Sequence, residues 1–142
     1  SYQGGMHTDD DVDYRENPPV GGAHHETWQN CGVYTEPVLD ERAVHSMEHG
    51  AIWITYRPDL DPAMVAELTE LAESMDYILL SPRPDGPSNP IVITAWNHQM
   101  GVETVDLDRI MPFIREFRKS PHAPEPGVPC TGGTSETAPT TT

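Results

Sequence analysis

The sequence has no run of about twenty apolar residues, so we expect no helix that spans a lipid bilayer. A charged segment followed by an apolar one is also missing, and we therefore expect a mature or truncated soluble region. Basic residues are scarce, since 8 Lys and Arg stand against 23 Asp and Glu and the formal net charge is -15. Such a chain repels phosphate backbones and anionic lipid headgroups, which argues against nucleic-acid and membrane-surface binding. The glycine-rich loops of nucleotide-binding proteins and the nucleophile elbow of serine hydrolases are absent as well.

Cysteine is limited to Cys31 and Cys130, and the pair has no CxxC spacing that would indicate a zinc knuckle or a thioredoxin-like site. A disulfide between the two is the simpler interpretation. It would close a loop of about 100 residues and indicate an oxidising compartment. The alternative is that Cys31 binds a soft metal as a thiolate near His24 and His25.

The chain is long enough for one domain, and its composition divides it into three segments. Residues 1–16 form an acidic N-terminal segment, and residues 17–130 form the predicted metal-binding domain. Residues 131–142 are rich in Thr, Ser, Gly and Pro, and we expect them to be disordered.

The hydrophobic pattern of the domain predicts an α+β fold. The expected elements are a helix at 41–49, a strand at 51–56, a helix that begins at Asp61 and Pro62, strands at 77–80 and 91–96, and a last helix that runs to about Lys119. We expect the strands at 77–80 and 91–96 to form a hairpin, because a turn-rich segment joins them. The β-α-β-β-α core would be a small, mostly antiparallel sheet with helices on one face, similar to a ferredoxin-like layout.

The strongest chemical signal is the pentapeptide from His45 to His49, which contains Glu48. Residues four apart lie on one face of a helix, so both imidazoles could bind a single ion. The string also matches HxxEH, a motif of zinc peptidases in which Glu activates a metal-bound water. A purely structural role for the two histidines, one as a helix cap and the other as a core or surface residue, is the alternative.

Two ligands are too few for a tight site, so other residues must contribute. His24 is the best additional donor, because a Pro-Pro and Gly-Gly loop presents it just before the first helix. His7 is a further candidate, whereas His98 and Met100 rank lower. Histidine with methionine would favour copper, and histidine with carboxylate would suit zinc, iron or manganese. His25 could be a bystander, and His122, Met47 and the three tryptophans are expected to have no ligand role.

The motifs also resemble a known family. They are Asn17-Pro18-Pro19-Val20-Gly21-Gly22-Ala23-His24, Trp28, Cys31-Gly32-Val33-Tyr34, Ala43 to Gly50 with the sequence AVHSMEHG, Trp53, Ala95-Trp96 and Cys130-Thr131-Gly132-Gly133. Together they resemble domain-of-unknown-function family 3105, with its PPxSGPH and VHSLEHG motifs. Departures from the motifs spare the His positions, and the resemblance raises the rank of His7 while lowering that of His25 and His98. It implies a secreted or membrane-anchored protein and no particular reaction.

We therefore expect an extracytoplasmic protein that binds one metal ion, copper first and zinc second, through His24, His45, His49 and His7. Glu48 would orient an imidazole or act on a bound water as the catalytic group. An open coordination position beside a pocket would make the protein a copper-dependent oxidative enzyme with a small-molecule or peptide substrate. A closed set of ligands would make it a copper-binding or delivery protein. A zinc-dependent hydrolase that uses the HxxEH helix and an interaction module with a structural His cluster complete the range of candidate functions.

Overall fold

The computed structural model describes residues 1–139, and within that range the chain forms one five-stranded sheet and three helices. The strands are β1 (Gly32–Val33), β2 (Ile52–Tyr56), β3 (Ile78–Pro82), β4 (Ile91–Ala95) and β5 (His98–Val102). The helices are α1 (Asp40–Glu48), α2 (Pro62–Glu73) and α3 (Leu107–Phe117). The predicted α+β class is therefore confirmed. None of the described helices has the length and apolar character needed to cross a membrane.

The sheet is mixed rather than mostly antiparallel. Its order is β1-β3-β2-β4-β5, in which β3 pairs in parallel with both β1 and β2, while β4 pairs antiparallel with β2 and β5. The predicted hairpin between 77–80 and 91–96 is therefore wrong, because the hairpin partner of β4 is β5. Strand β5 has a weak sequence signal, since Gly101 is a poor strand former and neither His98 nor Gln99 is among the residues that strands favour.

The helices cover both faces of the sheet, which corrects the expectation that they share one face. Ile52 and Ile54 of β2 pack with α2 and α3, whereas Trp53, on the opposite face, packs with α1. The alternation follows from the two-residue period of a strand. The ferredoxin-like layout is not confirmed, because β2 and β3, which α2 joins, are direct neighbours. A split β-α-β unit would place another strand between them.

The ends of the first two helices follow from local chemistry. The Asp61 side chain accepts a hydrogen bond from Ala63 N at 2.9 Å, and Pro62 occupies the first turn of α2, as predicted. Helix α1 ends before Gly50, whose φ of 101° is the left-handed conformation expected there. A Cβ at Gly50 would lie 2.8 Å from Lys119 Cα, so glycine is also required by packing.

A disulfide joins Cys31 to Cys130, as predicted, and excludes a thiolate ligand at Cys31. Beyond it, Thr134 forms an isolated bridge with Gln29, and Gln29 Nε2 donates a hydrogen bond to Glu136 O at 2.9 Å. These contacts of the C-terminal segment were not expected from its composition. The tail predicted to be disordered comprises residues 131–142. Its last three residues, 140–142, lie outside the described residues.

Candidate metal centre

Four side chains meet on the face of the sheet that α1 covers. They are His7, His24, His45 and Glu48, and each offers one ligand atom within 4.8 Å of the ligand atoms of the others. His24, His45 and Glu48 are buried, whereas His7 is exposed. The four side chains together could hold a metal ion. We call them the primary cluster.

Helix α1 supplies two members of the primary cluster. His45 and Glu48 are three residues apart, so their side chains lie on the same face of the helix. The other face of α1 packs on the sheet through Val44 and Met47, which are fully buried together with Trp53. Met47 is thus a core residue, and its thioether is not part of the cluster. Burial of the apolar face fixes the helix and with it the side chains of His45 and Glu48.

Backbone carbonyl groups orient two of the imidazoles. His24 Nδ1 donates a hydrogen bond to Gly22 O at 2.8 Å, and His45 Nδ1 donates one to His25 O at 2.6 Å. A carbonyl oxygen only accepts hydrogen bonds, so both Nδ1 atoms carry the proton in the neutral ring. The Nε2 atoms therefore present lone pairs toward the cluster. Histidines that bind metals are commonly oriented in this way.

The N-terminal segment brings His7 to the cluster by pairing with the loop around His24. Thr8 N donates to His24 O at 2.8 Å, and His24 N donates to Met6 O at 2.9 Å, which forms a short parallel bridge between His7 and His24. The His7 ring centroid lies 4.9 Å from that of His24 and 5.0 Å from that of His45. The acidic segment 1–16 thus contributes a side chain to the cluster.

Two glycines allow the N-terminal segment to approach Glu48. Gly5 N donates a hydrogen bond to Glu48 Oε2 at 2.6 Å. A Cβ at Gly4 would lie 2.8 Å from Glu48 Oε2 and 2.5 Å from Pro124 Cβ, so no larger residue fits there without movement. Sequence reasoning missed both glycines, although paired glycines close before a candidate ligand are a usable signal of close backbone approach.

Two of the atoms that face the centre have no aligned hydrogen-bond partner among residues 1–139. Glu48 Oε1 lies 3.3 Å from His24 Nε2 and 3.7 Å from His45 Nε2. The shorter contact lacks the alignment of a hydrogen bond, and both Glu48 Oε1 and His24 Nε2 are buried without a hydrogen-bond partner among residues 1–139. An unpaired buried polar group costs about 1–3 kcal/mol. A cation bound between these atoms would remove that cost.

The charges of Glu48 and His45 suit a cation, whereas His24 must release any proton on Nε2 before it can bind one. Burial lowers the pKa of His24, but contact with the Glu48 carboxylate and the Gly22 carbonyl outweighs burial, so that pKa is raised. Burial lowers the pKa of His45 to about 4. Burial raises the pKa of Glu48, but contact with His24 and the Gly5 N–H outweighs burial and lowers that pKa to about 2. At neutral pH Glu48 is therefore an anion and His45 a neutral imidazole, which are the protonation states that bind metals.

His49 lies beside the primary cluster and belongs to a second group. Its ring centroid is 4.7 Å from that of His45, but its ligand atoms group with those of Glu48 and Glu125. His49 Nδ1 donates a hydrogen bond to Pro129 O at 2.9 Å. The predicted role of His49 in one site with His45 stays a prediction. Sequence reasoning missed Glu125, because nothing in a Pro-rich segment marks a residue that folding brings to a helix end.

The remaining histidines lie elsewhere. His98 stacks on Phe117 with ring centroids 4.2 Å apart, and His122 packs against the same phenylalanine. His25 Nε2 donates to Asp10 O at 3.2 Å, so its side chain points away from the cluster that its carbonyl supports. Among the described residues, the main cavities are lined by side chains outside the primary cluster.

Residues 6–132 match the family described as Protein of unknown function (DUF3105), so the resemblance indicated by the motifs is confirmed. No curated protein and no solved structure matches the chain. The matched range includes every member of the primary cluster. The chemistry of the site must therefore be derived from its own geometry.

Proposed function

The chain belongs to this family of unknown function, and we propose from its site that it is a metal-binding protein that holds a divalent transition-metal ion through His7, His24, His45 and Glu48. Three imidazole nitrogens and one carboxylate oxygen form a complete set for a four-coordinate ion. In this proposal Glu48 is a ligand, which differs from the catalytic role expected from the HxxEH motif. His49 would support the site from outside.

The observation that carries the proposal is the convergence of four ligand atoms within 4.8 Å of one another, of which Glu48 Oε1 and His24 Nε2 are buried without an aligned hydrogen-bond partner. Folding buries polar atoms when a partner compensates for the lost water. Here the Nδ1 atoms of both buried imidazoles are fixed by carbonyl groups, and Glu48 Oε2 is fixed by Gly5 N. The remaining atom of each group faces the same point. This arrangement supports a metal site over a purely structural His cluster.

We propose copper(II) as the ion that binds most tightly and zinc as the second. Sites of nitrogen and oxygen ligands generally bind Cu²⁺ more tightly than the other first-row divalent ions. The primary cluster contains no sulfur ligand, so copper(I) is less favoured. The carboxylate of Glu48 is equally suited to zinc, so the metal that occupies the site also depends on which metals are available.

Binding or delivery is the function that the surroundings of the site support, ahead of catalysis. The main cavities within the described residues are lined by side chains outside the primary cluster, which favours binding over catalysis. Glu48 Oε2 accepts a hydrogen bond from Gly5 N and Oε1 faces the imidazoles, so the carboxylate is placed to bind the ion and not to take a proton from a bound water. Both features weigh against the copper oxidase and the HxxEH hydrolase. The disulfide also supports an extracytoplasmic location, where such bonds persist.

The proposal is tested on untagged protein that has been stripped with a chelator. Titration calorimetry with Cu²⁺ and Zn²⁺ measures affinity, and mass spectrometry of the purified protein measures bound metal. Loss of an outer-sphere partner lowers metal affinity about 10- to 100-fold. Because His24 would bind the ion directly, we expect His24→Ala to lower the affinity of the tightest site by more than that. His25→Ala is the matched control, because it removes a neighbouring imidazole and leaves the His25 carbonyl that orients His45.

Added azide distinguishes binding from catalysis. A closed set of ligands at the primary cluster predicts that azide leaves the electron paramagnetic resonance spectrum unchanged in protein loaded with one equivalent of Cu²⁺. A changed spectrum would mean an open coordination position and would favour the oxidative enzyme. Equal affinities of the wild type, His24→Ala and His25→Ala for both metals would reject the site.

A further inference from the structure

We propose that the centre is dinuclear, with a second metal position formed by His49 and Glu125 and with Glu48 bridging the two ions. This inference rests on the proposed function, because Glu48 belongs to both groups. Glu48, His49 and Glu125 each offer a ligand atom within 4.8 Å of the others. We call these three residues the secondary cluster.

The side chain of His49 is buried and oriented for metal binding. It is 2% exposed, and its Nδ1 donates to Pro129 O at 2.9 Å, so the neutral ring carries its lone pair on Nε2. That Nε2 lies 3.8 Å from Glu125 Oε1. The orientation of the ring by a carbonyl is the same device that orients His24 and His45 in the primary cluster.

The loop that carries Glu125 is attached to the end of α1. Glu125 N donates to Glu48 O at 3.0 Å, and Gly127 N donates to His49 O at 3.0 Å. These bonds use carbonyl groups that a helix end leaves without partners. The same bonds bring the Glu125 side chain to the two helix residues it would join. The disulfide at Cys130 holds the next part of the loop and thus the Pro129 carbonyl.

Glu48 can serve both positions because a carboxylate has two oxygens with about four lone-pair directions. Its Oε1 is buried and unpaired and faces the primary cluster, where His24 Nε2 is 3.3 Å away. In two-metal sites that share ligands, the ions are about 3.5–4 Å apart. Two dications so close repel each other, and the charges of Glu48 and Glu125 offset part of that repulsion.

The two positions differ in strength. The secondary cluster has one imidazole and two carboxylates, one of them shared, so it provides fewer protein ligands than the primary cluster. The Glu125 side chain is 45% exposed, which places this position at the surface. We therefore expect the second ion to bind more weakly, to exchange first and to complete its coordination with water.

The test uses Cu²⁺ and the variant Glu125→Gln, which keeps the size of an exposed side chain and removes its charge. The matched control is Glu73→Gln, an exposed position at the end of α2. We expect the wild type and Glu73→Gln to bind two Cu²⁺ in sequence, and Glu125→Gln to bind one with unchanged tight affinity. Electron paramagnetic resonance provides a second readout, since adjacent Cu²⁺ ions couple magnetically and the integrated signal falls below two spins per chain.

The outcomes separate this inference from the proposed function. One uncoupled Cu²⁺ in the wild type and in Glu125→Gln would overturn the dinuclear centre and leave the metal-binding function intact. Two ions in Glu125→Gln would also overturn it, because the second position would not need that carboxylate. Failure of the wild type to bind any Cu²⁺ would reject both.

Discussion

Removal of the disulfide tests how much of the stability comes from the crosslink. The perturbation is the double substitution Cys31→Ala and Cys130→Ala, which opens a loop with a sequence separation of 99. Closure of a loop of about 100 residues stabilises the folded state by about 4.7 kcal/mol in the chain-entropy model. A domain of this size has a total stability of about 5–15 kcal/mol, so the crosslink is a large fraction of it.

The same figure predicts a change in melting temperature. The unfolding entropy is about 2.1 cal/mol/K per residue, which for 142 residues is about 0.3 kcal/mol/K. A loss of about 4.7 kcal/mol therefore lowers the melting temperature by about 16 °C. Urea titration at 25 °C, followed by circular dichroism, measures the free energy directly, and a thermal scan measures the shift.

Reduced wild-type protein is the control, because it loses the crosslink and keeps both sulfur atoms. Cys130 is 3% exposed, so the double variant also loses some packing, and the comparison separates the two effects. A loss below about 2 kcal/mol in both proteins would refute the reasoning. The hydrogen bonds of Trp28 and Gln29 with the C-terminal segment would then be the main attachment of that segment.

Three further changes give separate tests. Gly4→Ala places a methyl group 2.8 Å from Glu48 Oε2. We therefore expect Cu²⁺ affinity, measured by calorimetry, to fall by at least about 10-fold. An affinity equal to that of the wild type would contradict the packing argument. Asp61→Ala removes the cap of α2 and should lower the unfolding free energy in urea by about 1 kcal/mol, whereas no loss would mean that the cap is not stabilising. Burial and the positive charge of His122 lower the pKa of His98, so His122→Gln should raise the pKa of His98 in an NMR titration. A lower pKa of His98 in the variant would contradict this effect of His122.

Local signals in the sequence predicted the elements better than their pairing. The cap at Asp61 and the glycine at Gly50 act on their own neighbours, so helix ends could be inferred from a few residues. The pairing of β2 with β3 depends instead on how α2 crosses the sheet, which no short segment encodes. The hairpin prediction failed for this reason, and because β5 has an unusual composition for a strand.

The candidate site was predictable to the extent that its residues lie in motifs. The spacing of His45 and Glu48 places both on one helix face, and the loop before α1 marked His24. Which neighbour of His45 faces the centre depends on the rotation of α1 on the sheet, so the sequence could not choose between Glu48 and His49. Glu125 was beyond prediction, because only hydrogen bonds formed on folding place it at the helix end.

The bridge between His7 and His24 has a kinetic consequence. Two backbone hydrogen bonds of this bridge hold the exposed imidazole beside the three buried side chains of the primary cluster, and the bond from Gly5 N to Glu48 adds to them. Short pairings at the surface open with a small fraction of the free energy that unfolds a domain. If the proposed ion is bound, detachment of this segment would expose it to a competing chelator while the sheet and helices stay intact, and the rate of metal transfer would then follow a peripheral fluctuation and not the stability of the core.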